Sequence, residues 1–298
     1  MQIIKYIPLR RSTRRFSEKP LSGEIINNAL SAVKDFLPLD EKQEIRFLYT
    51  HKDNIPAKAF KEAFGDFGKL YNARHYFAIA VSQHIKTKNT LAGFAGQQFI
   101  LHLTSEGIST CWMSSFNTPV FRKLFDVKEG ETVPAIISAG YPAEDFQGKL
   151  INKMMGKTSG KRKKLKNIIY RDNVKTRADE KFLKDKDLLH VFEMARLAPS
   201  WHNIQPWYFI VCDNCIYLVW DTFQRRYKKD VLEMRKHFYT IDMGIIMSHI
   251  SLTLQEEGKK GQWEILSEKK ADKIKLDLGI KETQGVPYAC LTLETENG

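Results

Sequence analysis

Three short stretches of the chain carry residue types that could do chemistry. The first is Leu9-Arg10-Arg11-Ser12-Thr13-Arg14-Arg15-Phe16, with four guanidiniums and two hydroxyls in six consecutive positions. A guanidinium is a planar fork matched to phosphate oxygens, and a Ser or Thr hydroxyl adds a neutral donor. Side chains alternate along an extended segment, so Arg10, Ser12 and Arg14 would share one side. Read alone, such a run is more often a solvated basic tail. The second stretch is Ala198-Pro199-Ser200-Trp201-His202-Asn203-Ile204-Gln205-Pro206-Trp207. Two prolines bracket a loop with hydroxyl, amide and aromatic groups but no carboxylate. It suits a planar heteroaromatic ligand whose edge the amides could bond; a structural turn with packed tryptophans fits equally well. His202 by itself reads as a surface histidine rather than a base. The third stretch is Gly107-Ile108-Ser109-Thr110-Cys111-Trp112-Met113-Ser114-Ser115-Phe116, read as a loop with exposed backbone N–H groups, or as a connection in which Trp112 is a core anchor.

The elements that would position these stretches follow from apolar spacing. Ser22 opens a helix in which Ile25, Ile26, Ala29, Leu30, Val33, Phe36 and Leu37 recur at helical intervals, with Pro38 as its stop. Residues 45–50, 76–82 and 133–141 read as strands. Residues 91–106 read as a long helix, capped by Thr90 and ended by Gly107. Its apolar residues lie on more than one side, which predicts a central helix. The second half repeats this order. Asp187 caps a helix through Ala198, residues 207–212 and 215–221 form a hairpin, residues 240–257 form a long helix ended by Gly258, and residues 286–293 form a buried strand. Gly93 and Gly244, Leu103 and Leu254, Gly107 and Gly258, and Trp112 and Trp263 recur at one spacing, and Val133-Pro134 recurs as Val286-Pro287. An internal duplication follows, and fused duplicates often reproduce a two-fold dimer whose ligand site is the seam.

Bulk properties bound the rest. The chain has 298 residues, 47 Lys plus Arg against 35 Asp plus Glu, and a net charge of +12. That length allows one large domain or two of ordinary size. At 43% hydrophobic and 28% charged residues, long disorder, collagen and coiled coil are excluded. No stretch approaches the roughly 18 apolar residues of a membrane span. The first 15 residues put their arginines after their few apolar residues, the reverse of a signal peptide, so a cytoplasmic protein is expected. Cys111, Cys212, Cys215 and Cys290 fit a reducing compartment. Cys212 and Cys215 form one CxxC: a redox motif, half a zinc site, or two strand residues flanking an Asp213-Asn214 turn. Strand-like flanks and the lack of a second CxxC favour the turn, and no metal is expected. Basic runs at 157–166 and 224–229 read as solvated segments rather than a nucleic-acid module, so nucleic acid is not expected as a partner.

Together the three stretches resemble the nitroreductase family of flavin enzymes. Its pattern has an RxSxRxF start, a PSxxNxQPW loop, a long central helix followed by a turn, and a strand ending in Gly-Tyr-Pro, here Gly140-Tyr141-Pro142. The duplicated form is similar to a subgroup of single-chain nitroreductases in which one polypeptide imitates the usual homodimer. The resemblance implies an α+β fold of mixed, mostly antiparallel sheets flanked by helices. It implies a first half at 1–160 and a second at 161–298, intertwined, with FMN at the seam.

Site residues carried over by the resemblance are these. Arg10, Arg11, Ser12 and Arg14 face the FMN phosphate and pyrimidine edge, and Pro199, Ser200, Trp201, Asn203 and Gln205 come from the second half. Trp112, Met113, Ser114 and Ser115 lie beside the flavin ring, Arg162 closes the phosphate site, and Lys69 sits near the pyrimidine edge. Chemistry centred on the flavin needs no side-chain nucleophile; Arg14, Ser114 and Ser115 tune the ring. The implied reaction takes hydride from NAD(P)H and reduces a nitroaromatic, quinone or similar small acceptor by a ping-pong mechanism. Two other readings stay open: a flavin-binding protein without efficient turnover, and a basic phosphate or nucleic-acid binder on a degenerate scaffold. In the first half's equivalent of the PSxxNxQ loop, Pro38 to Glu44, Lys42 stands where the Asn would be and Glu44 where the Gln would be, and nothing like RxSxRxF precedes the second half. One FMN per chain and a monomer are therefore expected.

Overall fold

In a computed structural model that describes residues 2–39, 44–64, 72–113, 118–222, 229–281 and 283–294, the chain divides into two units, Ile3–Lys161 and Arg162–Gly298. The first unit is built on strands β1 (Ile45–His51), β2 (His75–Ser82), β3 (Ser109–Met113) and β4 (Glu131–Gly140), all antiparallel, in the order β1-β2-β4-β3. Its helices are α1 (Gly23–Ser31), α2 (Ala57–Phe64), α3 (Lys88–Ser105), α4 (Thr118–Leu124) and α5 (Phe146–Ser159).

β2 and β4 are central and buried on both faces, which is why their sequences are nearly continuous apolar runs. On one face Phe47 and Phe77 pack on Phe99 of α3, with ring centroids 4.5 and 4.9 Å apart. On the other face Ala78, Ile136 and Met113 join Phe16, Ile55, Tyr76, Phe125 and Val133 in one cluster. α3 is buried at every residue from Thr90 to Leu101, as its apolar distribution predicts. It lies so close to the sheet at Gly96 that a Cβ there would sit 2.4 Å from the Trp112 ring and 2.5 Å from Ile79 Cδ1. Its N-cap is Thr87 rather than Thr90. Ser22 does cap α1, accepting from the Ile25 N–H at 3.2 Å, but the helix tightens into a 3₁₀ turn at Ala32–Asp35, ahead of Pro38.

The second unit has β5 (Ile169–Arg171), β6 (Trp207–Val211), β7 (Cys215–Trp220), β8 (Gly261–Ile265) and β9 (Val286–Leu293), in the order β5-β6-β7-β9-β8. Its helices are α6 (Leu165–Ile168), α7 (Glu180–Asp185), α8 (Leu189–Ala195), α9 (Lys229–Glu256) and α10 (Glu268–Asp277). The order β6-β7-β9-β8 reproduces β1-β2-β4-β3, and β5 is an addition, parallel to β6. The duplication therefore extends to topology and to detail. Gly107 and Gly258 end α3 and α9 at φ of 75° and 72°, values a Cβ disfavours. Trp112 and Trp263 each donate their indole N–H back to the preceding long helix, to Gln97 at 3.3 Å and Ser251 at 2.9 Å.

Three sequence expectations are corrected here. Asp187 does not cap α8; it sits at φ 53° with its carboxylate 2.8 Å from Lys259, and Leu188 takes the N-cap position. The side-chain cap lies one helix earlier, where Asp179 accepts from Phe182 at 2.7 Å. α9 begins at Lys229, ahead of Thr240, because charged residues dilute the apolar periodicity of its first turns. The segment after Gly107 is not a loop: residues 109–113 form β3, paired with β4 from Ser109 opposite Gly140 to Met113 opposite Ile136. Among the described residues no helix is long and apolar enough to cross a membrane.

Candidate functional site

The arginine strip is held in place mainly through its backbone. Ser12 forms a parallel bridge with Thr110 of β3, and the Thr13 N–H donates to the Thr110 carbonyl at 2.9 Å. Further along, Phe16 bridges Pro142, Ser17 N–H donates to the Tyr141 carbonyl and Ala143 N–H to the Arg15 carbonyl. Phe16 itself is buried in the core cluster and anchors the end of the strip. Two asparagines complete the clamp. Asn152 of α5 accepts from the N–H groups of Arg14 and Arg15, both at 3.1 Å, and donates to the Arg15 carbonyl at 3.0 Å. Asn72 accepts from Phe16 N–H at 2.6 Å and donates to its carbonyl at 2.8 Å. With the backbone satisfied this way, the side chains are left to other work.

Those side chains divide by position. Arg10 is buried and donates to the Ser12 hydroxyl at 3.2 Å, so the expected sharing of one side holds for this pair. Arg14 lies close enough that both it and Arg10 act on Cys111, whose thiol is pushed up by burial and pulled back by the two guanidiniums. Arg11 is exposed and turns onto its own backbone, donating to the carbonyls of Pro8 and Arg10. Arg14 Nε and Thr110 Oγ1 are buried and have no hydrogen-bond partner among the described residues. The two guanidiniums and the hydroxyls of Ser12 and Thr110 form a cluster of donors with positive charge, in which Arg14 Nε and Thr110 Oγ1 are the unpartnered atoms. That is the chemistry a phosphomonoester requires, so the strip fits FMN.

Trp112 and Met113 are on β3. The Trp112 indole packs against Gly96 and is half-buried, and the Met113 side chain lies in the core cluster, so Met113 can reach a ligand only through its backbone. Lys69, Ser114 and Ser115 lie outside the described residues.

The second unit holds the Pro-bracketed loop. A 3₁₀ turn at Trp201–Asn203 follows Ser200, and His202, Asn203 and Gln205 take φ values of 48°, 56° and 52°. Left-handed non-glycine residues cost on the order of 1 kcal/mol each or more, so three in four positions need external support. Asp242 of α9 supplies part of it, both carboxylate oxygens accepting from Trp201 N–H at 3.0 and 3.1 Å. Its carboxyl is pushed well above the usual range by burial, with the Trp201 N–H pulling the other way. Gln205 N–H donates to Ser200 Oγ at 2.8 Å. Arg162 donates to Asn203 Oδ1 at 2.7 Å and to the Leu197 carbonyl at 3.3 Å, while Lys163 donates from its backbone to Gln205 Oε1 and from Nζ to the Gln205 carbonyl, both at 2.8 Å. The structure thus brings together Pro199, Ser200, Trp201, Asn203, Gln205 and Arg162. It also shows that part of the 157–166 run is a brace rather than a solvated linker. Trp201 stacks on Phe238 at 5.0 Å and 17°, and Arg235 lies 5.3 Å from the Trp201 ring centre.

Residues that sequence reasoning missed include Asn72, Asn152, Thr110, Asp242 and Lys163. Asn72, Asn152 and Asp242 belong to no motif, Thr110 lies in the third stretch and Lys163 in the 157–166 basic run, and each acts across a long sequence separation.

The family model described as "Putative TM nitroreductase" matches residues 2–254. Among solved structures, a putative nitroreductase from Thermotoga maritima is 20% identical, with a TM-score of 0.55, over 99% of this chain and 95% of that one. A nitroreductase with bound FMN from Bacteroides fragilis is 18% identical, with a TM-score of 0.41, over 48% of this chain and 90% of that one. An FMN-dependent nitroreductase from Clostridium difficile is 20% identical, with a TM-score of 0.41, over 48% and 88%. A search of curated proteins found no match. The likeness that spans the whole chain is one of fold.

Proposed function

The chain belongs to the nitroreductase family described by the model that matches it, and from that premise we propose that it is an FMN-dependent oxidoreductase. The observation that carries this reading is the clamped strip at Arg10–Ser12–Arg14, with the unpartnered Arg14 Nε and Thr110 Oγ1 beside it. When bound, FMN supplies the redox chemistry, taking hydride from NAD(P)H and passing electrons to a nitroaromatic, quinone or similar acceptor in a second half-reaction.

The chain's own residues bind and orient. Arg10 and Arg14 would hold the FMN phosphate, and their positive charge would favour the negative charge the flavin gains when reduced; the dry surroundings would strengthen that attraction. Ser12 and Thr110 add neutral donors. Within the second unit, Ser200, Trp201, Asn203 and Gln205 form a polar loop with an aromatic wall, held by Asp242, Arg162 and Lys163. No side chain need act as a nucleophile, and protons come from water.

One FMN per chain is proposed because the two units are unequal. The first sheet carries the arginine strip beside β3. In the second sheet the added strand β5 pairs with β6, at the opposite edge, and among the described residues no strand pairs on the outer side of β8. The residue after Trp263, Glu264, is a carboxylate paired with Lys270.

The test begins with the absorbance of the purified protein reconstituted with FMN, followed by anaerobic titration with NADH and NADPH. A single equivalent of FMN, bleached rapidly by one of the two, is expected. Arg14→Ala should keep the fold and weaken FMN binding roughly tenfold to a hundredfold, the worth of one charged hydrogen bond. A colourless protein with no FMN affinity overturns the reading. A yellow protein that neither nucleotide bleaches leaves a flavin carrier instead of an enzyme.

A further inference from the structure

We propose that Cys212, Cys215 and Cys290 form a redox-active thiol site that reacts with low-molecular-weight disulfides and closes a reversible Cys212–Cys215 disulfide. The site stands apart from the flavin reading and does not depend on it.

The placement comes from the hairpin. The Cys212 N–H donates to the Cys215 carbonyl at 2.9 Å, one rung beyond Val211 opposite Ile216, so the two cysteines face each other across the Asp213-Asn214 turn. β9 brings the third thiol, with Cys290 opposite Tyr217 and Cys215 opposite Thr292. Cys215 and Tyr217 are two apart on β7 and share a face, and directly opposed residues share a face too. All three thiols therefore lie on one side of the second sheet. It is not the core side, which Ile216, Leu218, Ala289 and Leu291 occupy. Cys212 and Cys215 are half-buried and reachable, whereas Cys290 is buried.

The chemistry is unequal among the three. Cys215 is held well below the usual thiol range by the neighbouring Cys212 thiol, then the Cys290 thiol, with burial opposing the shift and the Tyr217 hydroxyl adding to it. Cys212 and Cys290 are pushed up, first of all by the adjacent Cys215 and then by burial. Such an arrangement marks Cys215 as the attacking thiolate and Cys212 as the resolving thiol. Directly opposed residues have Cβ atoms roughly 4.5–5.5 Å apart and diagonal pairs are about 7–8 Å apart, against roughly 3.5–4.5 Å in a disulfide. Cys212 is therefore the better partner, and Cys290, diagonal to Cys215, is only a neighbour. Among the described residues no cluster has the form of a metal site, which favours thiol exchange over metal binding.

The reaction balances as ordinary exchange. The Cys215 thiolate attacks one sulfur of the external disulfide, the S–S bond breaks, one thiolate leaves and a mixed disulfide forms. Cys212 then gives its proton to water and attacks Cys215 Sγ, expelling the second thiolate. Two cysteines are oxidised and one external disulfide is reduced to two thiols.

The test uses the full reduced chain with glutathione disulfide as the probe. The free-thiol titre, measured after unfolding, should fall from four to two, and peptide mapping should join Cys212 to Cys215. Dithiothreitol should restore all four. Cys212→Ser should trap one glutathione adduct on Cys215, and Cys215→Ser should lose both the adduct and the disulfide. Circular dichroism of each variant verifies that it folds, and iodoacetamide labelling of the unmutated protein, with Cys215 alkylated first, reads the same ordering without any substitution. A titre that stays at four overturns the proposal, as does a first alkylation at Cys111 or Cys290, or a disulfide that joins Cys215 to Cys290.

Discussion

Replacing Asn152 with Ala removes three hydrogen bonds from the arginine strip, the two it accepts from Arg14 and Arg15 and the one it donates to Arg15. A net worth of about 0.5–1.5 kcal/mol per bond gives a range of roughly 1.5–4.5 kcal/mol. Asn152 is only half-buried, so water can take over part of its role, and about 2 kcal/mol is the expected loss. Most of it should not reach global stability, because Asn72 and Thr110 still hold the strip elsewhere. It should reach binding, since a ligand must then order a strip that was ordered beforehand. At about 1.4 kcal/mol per decade, the FMN dissociation constant should rise roughly thirtyfold. Asn152→Asp keeps the accepted bonds and loses the donated one, so its effect should be roughly threefold. Flavin fluorescence quenching gives the affinities, and amide hydrogen exchange at Arg14 and Arg15 reports the order of the strip. Faster exchange with unchanged affinity would refute the strip as the FMN site; unchanged exchange would refute the clamp itself.

Three further outcomes follow from the same geometry. His75 accepts from the Leu21 N–H at 2.9 Å and faces Tyr49 OH at 2.9 Å, and burial, then the charges of His51 and Arg74, lower its pKa to about 4. Its folded pKa is depressed, so the unfolded chain binds the proton first: stability should fall as pH drops from about 6.5 to 4, by on the order of 3 kcal/mol. His75→Gln should flatten that slope in urea unfolding measured across pH, and an unchanged slope counts against the assignment. Gly96→Ala should lower the melting temperature, since a Cβ 2.4 Å from Trp112 forces the indole away from Gln97 at a cost of about 1–3 kcal/mol; a neutral or stabilising result would mean the helix–sheet contact is looser than described. Asp242→Asn should be tolerated, because a neutral amide oxygen can still accept from Trp201 and no charge is buried. Asp242→Ala should cost about 1–3 kcal/mol and shift Trp201 fluorescence; equal behaviour of the two variants would argue against the bond.

Much of this architecture could be read before any coordinates. Val286 to Leu293 forms the expected strand, both long helices stop at the expected glycines, and the repeat spacing corresponds to two sheets of one strand order. Periodicity and breakers are local signals, and these features are local. The strip stands out in the sequence as a cluster of guanidiniums and hydroxyls, but its clamps do not. Asn72 and Asn152 lie 56 and 137 residues from the backbone groups they bond, and a single asparagine has no periodicity. The third motif was misread because its glycine and serines suggest a loop, whereas pairing with β4 makes residues 109–113 a strand; tertiary hydrogen bonding overrides local preference. In the Pro-bracketed loop the functional-looking amides were recognised. Their bonds to Arg162 and Lys163 were hidden, because those residues sit in a run whose charge alone suggests solvent.

The extra strand β5, found among the described residues in one sheet alone, shows what covalent fusion permits. Where identical subunits associate, every substitution appears twice, so a change that improves one location is imposed on its mate. Joined copies escape that coupling. Each can drift separately, one carrying an arginine strip while the other carries thiols and a new edge, and neither innovation has to be tolerated in duplicate.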